Sequence, residues 1–198
     1  MDTKHKRILS YIKKKLERNG FSLVLRNSSY ILRGKKPNVI ECGGYFDVDT
    51  NELVVAAKGR VSIWFPILIH EFAHFLQWKT KSKVFMDGIK SDDVVESVLT
   101  RKVKKKLKPF VLKRHILKCI ALELEAERIT IRLIKHWNLK VNLTKYKQDS
   151  NRYFFLWGNI YHTHAWVRTY NKLAENKMID FFYRKIENYI NNSTMYFD

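Results

Sequence analysis

The chain has 198 residues, 45% of them hydrophobic and 14% aromatic, ample for one domain over residues 1–198, with a core to about residue 137 and an aromatic-rich helical part beyond. Thirty-eight Lys and Arg against 19 Asp and Glu give a net charge of +19, which favours polyanions such as nucleic acid or acidic protein surfaces, although a lysine-rich chain from an AT-rich genome carries the same charge for solubility alone. The composition excludes a membrane-spanning helix, a signal-peptide core (Lys13, Lys14 and Lys15 interrupt it) and, with only Cys42 and Cys119, a thiolate metal site, so the chain is expected to begin near Met1 and stay inside the cell that makes it.

Residues 3–19 carry Ile8, Leu9, Ile12 and Leu16 on one face and end at Gly20, which predicts an opening helix. Residues 21–25 and 30–33 read as short strands around the turn Asn27, Ser28, Ser29. Residues 45–48 and 52–57 read as a hairpin closed through Asp49, Thr50 and Asn51. Asp47, Asp49 and Asn51 imitate the start of a calcium loop. Glu52 stands where glycine is needed and Lys58 where the last glutamate is needed, so the stretch is a turn.

An apolar helix comes next. Trp64, Phe65, Leu68, Ile69, Phe72, Phe75 and Leu76 cover a broad arc, with Ser62 as the expected cap and Pro66 in the first turn or so. Within it, His70-Glu71-Phe72-Ala73-His74 places two imidazoles one turn apart on one face. Histidines so spaced can grip one tetrahedral Zn²⁺, and Glu71 can serve as general base toward a water that the metal activates. Gln77 falls on the same side. The bland alternative is a surface helix with two histidines turned to water. Ile67, Ala73 and Trp78 border the pair, which favours an enclosed side whose polar groups need partners.

After a polar linker at 79–90, Ser91, Asp92 and Asp93 open a further helix that grows basic over 101–108 and is broken by Pro109. Over 115–137, Ile116, Cys119, Ile120, Ala126, Ile131 and Ile134 form one helical stripe. Glu123 and Glu127 fall within about 20° of its centre, while Glu125, Arg128 and Arg132 take the outer face. Carboxylates on a core stripe are costly unless paired or bound to metal. A glutamate of this segment is therefore the better third ligand, with a buried ion pair to Arg or Lys as the alternative reading. Glu125 and His115 are the next ligand choices. A metzincin is excluded, because Gln77 and Thr80 occupy the places of its glycine and third histidine.

His70, Glu71 and His74 followed by Glu123 and Glu127 resemble the gluzincin pattern of zinc metallopeptidases. The wording is similar to metallopeptidase-like proteins encoded by tailed bacteriophages. Those carry a Cys-Gly-Tyr-Phe-Asp-like hairpin, a His-Glu-x-x-His-x-x-Gln-Trp-like helix and a Glu-x-x-x-Glu helix, matched here by residues 42–47, 70–78 and 123–128. The resemblance covers the middle half of the chain. It implies an α+β fold, a mostly helical minimal-gluzincin-like domain with a small antiparallel sheet before the motif helix. It also implies Glu123 as third zinc ligand and Glu127 as the carboxylate bonded to the non-ligating nitrogen of His70 or His74. Gluzincins commonly carry Asp or Asn where this chain has Glu127. Such folds set an edge strand above the metal, for which Val54, Val55, Ala56 and Ala57 are candidates unless they are interior.

From residue 146 onward the aromatic residues read as two or three core helices. Tyr153, Tyr161, His162 and His164 are available to stabilise an oxyanion; Tyr153 is the first choice, with plain packing the alternative for each. The expected protein is a hydrolase with a Zn²⁺ cofactor that cleaves a peptide or protein substrate, in the host cytoplasm if phage-encoded. The rivals are a basic nucleic-acid-associated protein with a structural metal, and a virion or assembly component without turnover. An intact Glu71 argues against the second.

Overall fold

A computed structural model describes residues 1–33, 40–99, 107–147, 149 and 150. Helix α1 (Thr3–Glu17) starts where Asp2 Oδ1 accepts the His5 N–H at 2.9 Å. Its inward residues Ile8, Ile12 and Leu16 are buried, and Leu9 is half-buried. Gly20 at φ +82° lets the Phe21 N–H return to the Leu16 carbonyl at 3.1 Å, a closure that a side chain at position 20 would strain.

Five strands follow: β1 (Ser22–Arg26), β2 (Ile31–Arg33), β3 (Ile40–Cys42), β4 (Gly44–Asp47) and β5 (Glu52–Ala56). The expected α+β class, mostly helical with a small sheet before the motif helix, is what the structure shows. The hairpin is β4–β5, with Asp47 opposite Glu52. Asp47 Oδ1 accepts the N–H groups of Asp49 and Thr50, so its carboxylate closes a turn.

One pairing differs from expectation. The three-stranded sheet runs β1-β5-β4 and is mixed, because β1 lies parallel to β5 from Ser22–Glu52 to Arg26–Ala56. Strands β2 and β3 form a separate antiparallel pair. The reason lies in β5: Leu53, Val54, Val55 and Ala56 are all at most 5% exposed. A strand apolar on both faces takes the centre of a sheet and needs a neighbour on each side. The backbone past β1 is taken up by Ala57 and Lys58, whose N–H groups donate to Arg26 and Ser28. Val54, Val55 and Ala56 are thus interior, and the edge position beside β5 belongs to β4.

Helix α2 (Val61–Lys79) packs on β4 and β5. The entry residue is Arg60, extended at ψ 133°, and no side chain caps it. Ser62 lies already inside the first turn and cannot cap, and Pro66 sits in the second turn. The six aromatic and aliphatic residues from Trp64 to Phe75 on the predicted arc are buried, and Leu76 is half-buried. Glu71, Ala73, His74 and Gln77 are buried as well, so α2 is enclosed nearly all round. Phe75 anchors a ring cluster, with centroids 5.8 Å from Phe21, 6.0 Å from Phe46 and 5.8 Å from Trp78. Each fully buried phenylalanine contributes about 1.5–3 kcal/mol by leaving water.

Helix α3 (Lys83–Leu99) begins well before Ser91, inside the stretch expected to be a linker. Phe85 and Gly88 are buried and Val84 and Ile89 half-buried, a helical spacing hidden among polar residues. Ser91 is a mid-helix residue that donates to the Asp87 carbonyl at 2.8 Å. Helix α4 (Pro109–His136) begins at Pro109, which suits a first turn, rather than near His115.

The chain forms two compact units. The first, Met1–Phe85 with Glu125–Val141, holds α1, the five strands, α2 and the later part of α4. The second, Met86–Leu124 with Asn142–Asp198, holds most of α3 and the earlier part of α4. In the second unit a Cβ on Gly88 would meet the Leu122 Cβ at 2.6 Å, so the helices touch there at backbone distance. Burial pushes the nearby Cys119 thiol far above its ordinary pKa and leaves it an inert packing group. Among the described residues no helix is long and apolar enough to cross a membrane.

Candidate metal centre

His70 and His74 stand one turn apart on α2, their rings perpendicular with centroids 4.8 Å apart. Their Nε2 atoms face each other at 3.2 Å. The outer nitrogens have different partners. His70 Nδ1 lies 3.3 Å from Glu127 Oε1, and His74 Nδ1 lies 2.8 Å from Gln77 Oε1. Gln77 Oε1 is an acceptor, which favours the ring proton of His74 on Nδ1 and a lone pair on its Nε2; the Glu127 carboxylate behind His70 Nδ1 favours the same form of that ring. With both rings in that form, two Nε2 lone pairs face one point, an arrangement that an electron-pair acceptor between them would relieve. The edge of a tetrahedron with Zn–N bonds of about 2.05 Å is ~3.3 Å, close to the separation found.

Glu123 lies one turn before Glu127 on the unbroken α4. One ligand atom from each of His70, His74 and Glu123 falls within 4.8 Å of the others. His74 is buried, and His70 and Glu123 are half-buried. Two neutral imidazoles and a carboxylate suit Zn²⁺ by number and type. Glu127 has the position of a carboxylate that orients His70 from behind.

Glu71 stands outside this group and is 8% exposed. A Cβ on Gly44 would lie 3.0 Å from Glu71 Cγ and 3.0 Å from Ile67 Cγ2, so β4 passes Glu71 with no room for a side chain. The sequence motif placed Glu71 beside the histidines; the glycine that lets a strand approach it is visible only in the fold.

Glu125 is the main correction. It was expected on the outer face of α4 and is 4% exposed. Its Oε2 accepts from Gln77 Nε2 at 2.6 Å and from Ser82 Oγ at 2.7 Å. Helix α4 is enclosed on more than one side here: Leu122, Glu125, Ala126 and Thr130 are all buried. A wheel that assumes one buried stripe therefore misassigned the opposite side. Arg128 and Arg132 are exposed as expected. His115, the other alternative ligand, places Nδ1 3.2 Å from Ser91 Oγ in the second unit. Burial first, then the charges of Lys118 and Arg114, lowers its pKa. Tyr153, Tyr161, His162 and His164 lie outside the described residues, as do positions 101–106 of the basic run.

Sequence reasoning missed Gln77 and Glu125 as partners. The available signal was a glutamine on the histidine face of a helix with little polar surface. Compared with known proteins, the chain matches no family model, no curated protein and no solved structure at a significant level.

Proposed function

We propose that this chain is a zinc-dependent peptidase of gluzincin type, with His70, His74 and Glu123 as ligands and Glu71 as general base. The observation that supports it is the pair of Nε2 atoms 3.2 Å apart with a carboxylate oxygen beside them. Zinc at such a site supplies a Lewis acid that lets water lose a proton near neutral pH and polarises a carbonyl. Glu71 takes the proton of the attacking water as its oxygen adds to the carbonyl carbon. Glu71 then hands that proton to the nitrogen as the C–N bond breaks, leaving a carboxylate and an amine. Tyr153, outside the described residues, remains the choice from sequence alone for a donor to the developing oxyanion. The substrate is a peptide or protein, and β4, at the sheet edge beside Glu71, suits an extended chain laid along it.

The protein is expected to purify with about one zinc per chain, and His74→Ala with far less, because a lost ligand leaves too few protein contacts. Mass spectrometric metal analysis of both decides the point. Equal, near-zero zinc in the two would overturn the metal reading.

The +19 charge supports a second reading, a nucleic-acid-associated protein whose metal is structural. It expects a mobility shift with duplex DNA that weakens steeply with salt. No shift at low salt would remove it.

A further inference from the structure

Gln77 is 1% exposed and sits between two polar groups that a single amide must serve at once. Its Nε2 donates to Glu125 Oε2 at 2.6 Å, and its Oε1 lies 2.8 Å from His74 Nδ1. The same Glu125 oxygen also accepts the Ser82 hydroxyl at 2.7 Å. The polarity of this row is fixed from its far end. A carboxylate oxygen accepting two hydrogen bonds demands a donor from Gln77, so the amide NH₂ faces Glu125 and the amide carbonyl faces His74. A carbonyl oxygen only accepts, so the proton of His74 must be on Nδ1. Its Nε2 then has a lone pair for the site.

We propose that Glu125 and Gln77 are positioning residues that set the ligating tautomer of His74 through a carboxylate–amide–imidazole relay. The purpose of the relay rests on the metal site proposed above, but the relay itself does not. His70 and His74 are thereby held by different means: His70 has the Glu127 carboxylate directly behind it, and His74 has a carboxylate one amide further away. Gln77 cannot be read as filler. An apolar residue of its size would pack as well and would leave both His74 Nδ1 and Glu125 without that bond, at the cost that buried unpaired polar groups carry. Ser82, just past the end of α2, pins the carboxylate so that it cannot turn away from the amide.

The test is the ring-nitrogen spectrum of His74 in the full chain, recorded by nitrogen-15 NMR after chelation, alongside competitive chelator titration with zinc. Wild type is expected to show His74 protonated at Nδ1. Gln77→Met is expected to mix the tautomers and to weaken zinc binding by about 10–100-fold. The double exchange, Gln77→Glu together with Glu125→Gln, swaps the carboxylate and the amide. The carboxylate introduced at position 77 accepts from His74 Nδ1–H on one side and from the new amide on the other. This exchange is expected to restore the Nδ1–H form and most of the affinity, which a merely space-filling role would not require. His74 protonated at Nε2 in wild type would overturn the relay, and so would an Nδ1–H signal indifferent to Gln77→Met in a folded protein. An Nδ1–H tautomer that responds to Gln77→Met in a chain taking up no zinc supports the relay and rejects the metal site.

Discussion

Glu71→Gln is expected to keep its zinc and its fold and to lose peptide hydrolysis by about 10²–10⁴-fold, the range of a general base. The amide matches the carboxylate in shape, so the close approach of β4 at Gly44, where an added Cβ would meet Glu71 Cγ, survives the change. What the variant would lose, on the proposed mechanism, is a group able to take a proton from water and return it to the leaving nitrogen. Glu71 is outside the converging group of His70, His74 and Glu123, so metal content should not follow activity. Turnover of a combinatorial peptide mixture, measured beside zinc content, separates the two. Undiminished turnover in the variant removes Glu71 from the chemistry.

The second large effect is a contrast on one helix. Glu123→Ala is expected nearly to abolish zinc binding, since among the described residues of the group only the two histidines would remain as ligands. Glu127→Ala is expected to weaken it by roughly 10–100-fold, the usual consequence of removing a carboxylate behind a ligating histidine. Chelator competition ranks them. A larger loss in Glu127→Ala would exchange their roles, and no loss in either would move the third ligand elsewhere.

The parts of this centre that obey helix periodicity could be read before any fold was known. His70 and His74 share a face because they are four apart, and Glu123 and Glu127 share one for the same reason. Glu125 could not be read that way. Its burial depends on what packs against the second side of α4, and a single helix wheel contains no such information. Four of the five described strands were also legible, because turn residues punctuate the chain at 27–29 and 49–51, whereas β3 (Ile40–Cys42) carries no such signal and was missed. The parallel pairing of β1 with β5 was not, since it joins segments far apart in sequence and is decided by which strand is apolar on both faces. The early start of α3 was concealed because Phe85 and Gly88 carry its inner face amid lysines and an aspartate.

The same four-residue interval occurs on both helices that supply the site, His70 to His74 on α2 and Glu123 to Glu127 on α4. A helix fixes that interval at roughly 6 Å of rise, with no play in it. The two short windows are therefore sensitive to a kind of lesion that composition does not reveal. Exchanging Phe72 or Leu124 for a similar residue leaves both intervals intact. Inserting or deleting one residue within either window rotates one member by about 100° and carries it off its face. Variation among chains built on this plan should thus be tolerated in side-chain identity at intervening positions such as Phe72 and Leu124, though not at Glu71 or Glu125, and forbidden in length.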